Sequence, residues 1–135
     1  MQIDSHSALV YVMVLVSASD DDMTDAELDT MGKTVRYLPV FRGFDSQRLP
    51  AIADACAELL SDEEGLDKAL DAIEEALPDH LRETAYAIAC DVAAADGQVA
   101  QEEMRLLELL RYRLRVGRLP AAAIERAARA RHQTL

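Results

Sequence analysis

Val16-Ser17-Ala18-Ser19-Asp20-Asp21-Asp22-Met23, continuing into Thr24-Asp25-Ala26-Glu27-Leu28, is written a second time 76 residues later as Val92-Ala93-Ala94-Ala95-Asp96-Gly97-Gln98-Val99 and Ala100-Gln101-Glu102-Glu103-Met104. Each copy reads as an apolar residue, three small residues, Asp, a turn, an apolar residue, and then Glu followed by an apolar residue. A motif repeated at this distance in a short chain predicts two similar helical hairpins packed as a pair, over about 5–38 and 78–116. It also supplies two matched sets of carboxylates.

Working outward, the stretch before the first copy, Ala8-Leu9-Val10-Tyr11-Val12-Met13-Val14-Leu15-Val16, is apolar all round, as a helix enclosed by other helices must be. Val and Tyr also suit a strand, but length, flanking alanines and the helical partner copy favour a helix from Ser5 or Ser7, as cap, to about Ser19. Thr24 and Glu27 form a capping box opening a second helix, with Leu28, Met31, Val35 and Leu38 as its stripe and Pro39 as its stop. Phe41–Asp45 reads as a connector, and Ser46 as the cap of a third helix burying Leu49, Ile52, Ala53, Cys56, Leu59 and Leu60. Ser61 and Glu64 suggest a further capping box, before a fourth helix with Leu66, Ala69, Leu70, Ile73 and Leu77 inward. Pro78 suits the first turn of a fifth helix reaching Ala95. A sixth covers about 100–116 with Met104, Leu107, Leu110 and Leu114 inward, and Leu119-Pro120 opens a seventh. The expected fold is all-α: about seven helices in one domain over 1–135, with two pseudo-twofold-related hairpins around a four-helix core.

Composition agrees. The 135 residues are half hydrophobic, with only five glycines, four prolines and no Trp. A chain of this length buries roughly two-thirds of its unfolded surface. The net charge of −11 is unevenly spread. Residues 1–103 hold 23 acids against 6 Lys or Arg, whereas 104–135 hold eight arginines against Glu108 and Glu125. An acidic body lacks the continuous basic face that nucleic acid requires. The arginine-rich end suits a solvated face, or contact with an acidic protein or an anionic membrane surface. Cys56 and Cys90, in apolar helical stretches, read as buried thiols of a reduced cell interior. The start has no basic segment of a secretory signal, and the longest apolar run falls short of the roughly 18–20 residues that span a bilayer. The expectation is a cytoplasmic protein without a transmembrane segment.

The paired turns carry the chemistry. Asp20 and Asp96 follow the carboxyl ends of apolar helices, where a negative charge opposes the helix dipole unless it caps the next helix or joins the free carbonyls around a cation. Gly97 readily takes the left-handed conformation that ends a helix, and Asp21 tolerates it. Glu27 and Glu103 lie seven residues beyond their Asp, in the first turn of the next helix. Capping explains Glu27, but in the second copy Ala100 replaces Thr24 and the Glu persists. The turn looks like the latter half of an EF-hand loop, yet Val92 and Ala94, like Val16 and Ala18, stand where the first acidic ligands belong, so a standard EF-hand is excluded. A cation site would draw Asp20, Glu27, Asp96 and Glu103 from both turns, and oxygen-only ligands favour Ca²⁺ or Mg²⁺. Solvated caps remain the alternative.

No phosphate loop or nucleophile elbow is present, and His6, His80 and His132 are scattered, so an enzyme is not expected. Asp91 reads as an outward residue or as an acid behind the second turn.

On the Val92–Glu103 motif, its degenerate copy at Asp20–Glu27, the Ala8–Val16 helix and the helix order, the sequence resembles the tellurite-resistance TerB family and its TerB-like relatives. The resemblance implies a non-enzymatic helical domain in tellurite and chemical-stress resistance. It further implies a divalent-cation surface onto which Asp20, Glu27, Asp96 and Glu103 map, and a place beside other resistance proteins, peripheral to the cytoplasmic membrane. Related domains occur as modules elsewhere, including a membrane-anchored co-chaperone. Asp21 departs from the Gly usual in family turns. The competing reading is a helical protein-interaction module, without metal, docking through the acidic body or the arginine-rich end.

Overall fold

The computed structural model describes residues 2–17, 25–95 and 101–135, the side chain of Glu102 excepted. The described residues form seven α-helices and no strands: α1 Ser5–Ser17, α2 Asp25–Tyr37, α3 Leu49–Leu60, α4 Gly65–Ala76, α5 Arg82–Ala95, α6 Gln101–Arg113 and α7 Arg118–Arg131. The all-α expectation holds.

The apolar run fixes the centre. Every residue from Ala8 to Val16 is 5% exposed or less. Such a helix has no face to offer water, and α1 is accordingly packed by α2, α3, α4, α5 and α6. Helix α5 is the second axis, meeting α1, α6 and α7. Its alanines at 85, 89 and 93 are buried, so neighbouring backbones can approach closely.

Polar contacts set the directions. Ser5 Oγ donates to the Ala76 carbonyl at 2.9 Å, and Arg82 Nη2 donates to the Glu74 carbonyl at 3.2 Å. Arg113 Nε donates to Glu74 Oε2 at 2.8 Å and its Nη2 to Asp71. The start of α1, the start of α5 and the end of α6 thus gather at the carboxyl end of α4. Helices α1 and α5 run from there together, and α6 returns. The segment after α2 also returns to the start of α1, where His6 Nε2 lies 2.9 Å from the Val40 carbonyl and its ring stacks on Phe41. Each of the pairs α1–α2 and α5–α6 is therefore antiparallel.

Several caps differ from the sequence reading because a neighbouring carboxylate or carbonyl outcompetes the hydroxyl. Asp4, not Ser5 or Ser7, caps α1, its Oδ1 accepting from the Ser7 amide at 2.8 Å. That hydrogen bond holds the Asp4 carboxyl below its ordinary value. Asp45, not Ser46, caps the short 3₁₀ turn Ser46–Arg48 that leads into α3. Ser61 donates to the Glu58 carbonyl at 2.6 Å, so it closes α3 instead of opening α4. Pro78 precedes a 3₁₀ turn, Asp79–Leu81, that feeds α5. A Cβ on Gly65 would lie 1.9 Å from the Leu59 carbonyl oxygen, so the α3–α4 corner closes only around glycine. Helix α6 ends with Val116 N–H bonded to Arg111 O and Arg115 N–H to Tyr112 O, with Arg115 at φ 57°. That is a Schellman closure carrying Arg where Gly is usual. Two expected core residues are not in the core: Leu66 is 39% and Met104 54% exposed, since the inward stripes of α4 and α6 run through Ala69, Leu70, Ile73 and Leu110 instead.

Candidate functional site

Glu27 and Glu103 are the third residues of α2 and α6, where free amides and the helix dipole favour a carboxylate. Both are half-buried, and Oε2 of each is closed off from solvent. Because both hairpins are antiparallel and both α1 and α5 begin at the end of α4, the two glutamates lie toward the opposite end of the bundle. The described carboxyl ends of α1 and α5, at Ser17 and Ala95, point the same way. Asp20 and Asp96 lie outside the described residues, as do Thr24 of the expected capping box and the turn residues Asp21 and Gly97. Among the described residues no three His, Cys, Asp or Glu side chains are gathered as a metal-ligand group.

The chain from the first helix to the last bears one family's signature: the model described as tellurite resistance protein TerB matches residues 6–128. The chain belongs to the TerB family. No curated protein and no solved structure gives a significant match.

In this TerB-family chain the other polar groups singled out from sequence sort into structural ties and free cations. Asp91 is partly exposed, and the second turn it was read against lies outside the described residues. Its Oδ1 accepts from Arg131 Nη2 at 2.6 Å and lies 3.5 Å from His132 Nε2, fastening α5 to α7. Arg113 is likewise engaged, by Asp71 and Glu74. The arginine-rich end is thus partly an internal fastening and only partly a solvated face.

The two thiols are buried and unpaired. Burial pushes Cys56 up to about 12 and Cys90 up to about 11, so neither is a nucleophile near neutrality. Sequence reasoning passed over Tyr86. It is 2% exposed, yet its hydroxyl donates to Glu125 Oε2 at 2.6 Å, and burial together with that carboxylate raises its pKa. A lone Tyr between Ala85 and Ala87 was the available signal, because a buried phenol requires a partner. Among the described residues no helix is long and apolar enough to cross a membrane.

Proposed function

We propose that this TerB-family domain is a non-enzymatic, cytoplasmic component of tellurite and chemical-stress resistance that binds Ca²⁺ or Mg²⁺ through Asp20, Glu27, Asp96 and Glu103. The observation that carries the reading is the common direction of the two hairpins. Each presents a partly buried glutamate in the first turn of its second helix, toward the same end of the bundle. Carboxylates directed to one end of a chain already at net −11 repel one another, and a divalent cation offsets that repulsion. Association with other resistance proteins at the membrane surface belongs to the same proposal, by family membership.

Titration with Ca²⁺ and, separately, Mg²⁺, followed residue by residue by NMR and by thermal melting, tests it. Amides flanking both turns should shift together, and saturating cation should raise the melting temperature by about 10 °C, since roughly hundredfold excess over Kd stabilises by about 2.7 kcal/mol. Changing Asp20 and Asp96 together to Asn should remove the rise. Shifts at one turn only, or none, would leave the docking-module reading in its place.

A further inference from the structure

A groove of about 510 Å³ lies between α5, α6 and α7, and its described lining reaches Met104, beside Glu103, without including Glu27 or Glu103. Its floor is apolar, from Ala93, Ala94, Leu107 and Ala128, and three alanines there leave room that larger side chains would fill. The volume falls in the range of about 300–1,000 Å³ typical of small-molecule sites. From Tyr86 to Ala94 the floor runs about 12 Å at the helical rise. Met104, 54% exposed, lies at the edge, where a flexible thioether can close over an apolar guest.

The charges around the groove are not equivalent. Two carboxylates line it: Glu125, engaged by the Tyr86 hydroxyl, and Glu108, exposed to solvent. Arg111 and Arg129, which both line the groove, differ from their engaged neighbours. Arg113 and Arg131 are neutralised by carboxylates, whereas among the described residues neither Arg111 nor Arg129 has a carboxylate within 4.0 Å. The Arg111 Nε is shut off from solvent and, among the described residues, has no hydrogen-bond acceptor. The same side chain lines the adjoining cavity, with Arg118 and Leu119. An Nε closed to water is closed to a carboxylate oxygen as well, so an anionic head would be met by the outer guanidinium nitrogens of Arg111, leaving its tail over the alanine floor.

We propose that this groove binds a small amphipathic anion, an alkyl carboxylate whose head sits on Arg111 and whose chain lies between α5, α6 and α7. The site shares no residue with Asp20, Glu27, Asp96 or Glu103, although Met104 adjoins Glu103, so the two proposals are tested separately.

Titrating the full chain with decanoate below its aggregation range, in chelator to remove divalent ions, tests it by calorimetry and methyl NMR. One molecule should bind saturably, shifting Ala93, Leu107 and Ala128 together. Arg111→Gln should weaken binding by about tenfold or more, the size of one charge-assisted hydrogen bond. Ala94→Leu, which adds bulk to the floor, should also weaken it. On the unaltered protein, decanol and decyltrimethylammonium should bind far more weakly. That comparison decides even if the variants fold poorly. Equal binding of the cationic amphiphile, an unchanged affinity in Arg111→Gln, or shifts produced by an acidic amphipathic peptide but not by decanoate would each overturn the proposal.

Discussion

Helices α1 and α5 stand at matching places in the two halves of the chain, begin at the same end of α4, and are held in opposite ways. Helix α1 is enclosed by five others and is secured mainly by apolar packing from Ala8 to Val16, where the Tyr11 hydroxyl is the one polar side-chain group. Helix α5 has α7 against it and is fastened there by polar links, Tyr86 to Glu125 and Asp91 to Arg131. The repeat therefore preserves the small residues and acids around the turns while letting the helix surface follow its neighbours. A fully enclosed helix can carry no polar atom without a partner, so its sequence is nearly forced. A helix with one wet flank can exchange apolar contact for directional bonds, and it leaves a groove where those bonds do not fill space.

The contrast can be broken most severely on the dry side. Leu9 is fully buried in α1, and Leu9→Ala should cost about 2–5 kcal/mol in denaturant unfolding, the cost of deleting a core side chain plus its cavity. A loss under about 1 kcal/mol would mean α1 is less tightly enclosed than its burial indicates. The polar side should respond less. Tyr86→Phe keeps the ring and removes the hydroxyl that binds Glu125, so a loss of about 1–2 kcal/mol is expected. Charge-removing Glu125→Gln should then add little to Tyr86→Phe, since the two changes act on one bond and a double-mutant cycle isolates it. Additive losses would show that the link is not the source of the effect.

How far the sequence could be read follows the same division. The apolar run of α1, the Pro39 stop and the inward stripe of α3 were legible because burial leaves a periodic record in residue type. The caps were less so. Ser5, Ser46 and Ser61 each matched a capping pattern, yet Asp4 and Asp45 took the amides, because a carboxylate one position earlier offers the stronger acceptor. Leu66 and Met104 were read inward because a stripe does not say where the neighbouring helix ends. Tyr86–Glu125 and Asp91–Arg131 join residues about 40 positions apart, and no local pattern announces which acid meets which donor. At the candidate site, Glu27 and Glu103 stand where the sequence put them, in the first turns of α2 and α6, while Asp20 and Asp96 lie outside the described residues.

The mildest test concerns how α1 starts, the one point where this dry helix depends on a charge. Asp4 accepts the Ser7 amide at the amino end of α1, and Arg48 Nη2 lies 3.6 Å from its other oxygen. Both favour the ionised carboxyl, with the hydrogen bond dominant, so the folded protein holds Asp4 below its ordinary value of 3.8. A group depressed on folding stabilises the fold fully above 3.8, and that contribution is lost as pH falls through the lowered value. Asn caps nearly as well as Asp but does not titrate. Asp4→Asn should therefore leave stability near pH 7 within a few tenths of a kcal/mol. Below pH 3.8 it should become the more stable protein, while Asp4→Ala should lose about 1 kcal/mol near neutrality. Urea unfolding of the three proteins from pH 7 to pH 2.5 makes the comparison. Parallel curves for wild type and Asp4→Asn would mean that α1 is started by its apolar packing alone, which would carry the difference from α5 all the way to the first turn.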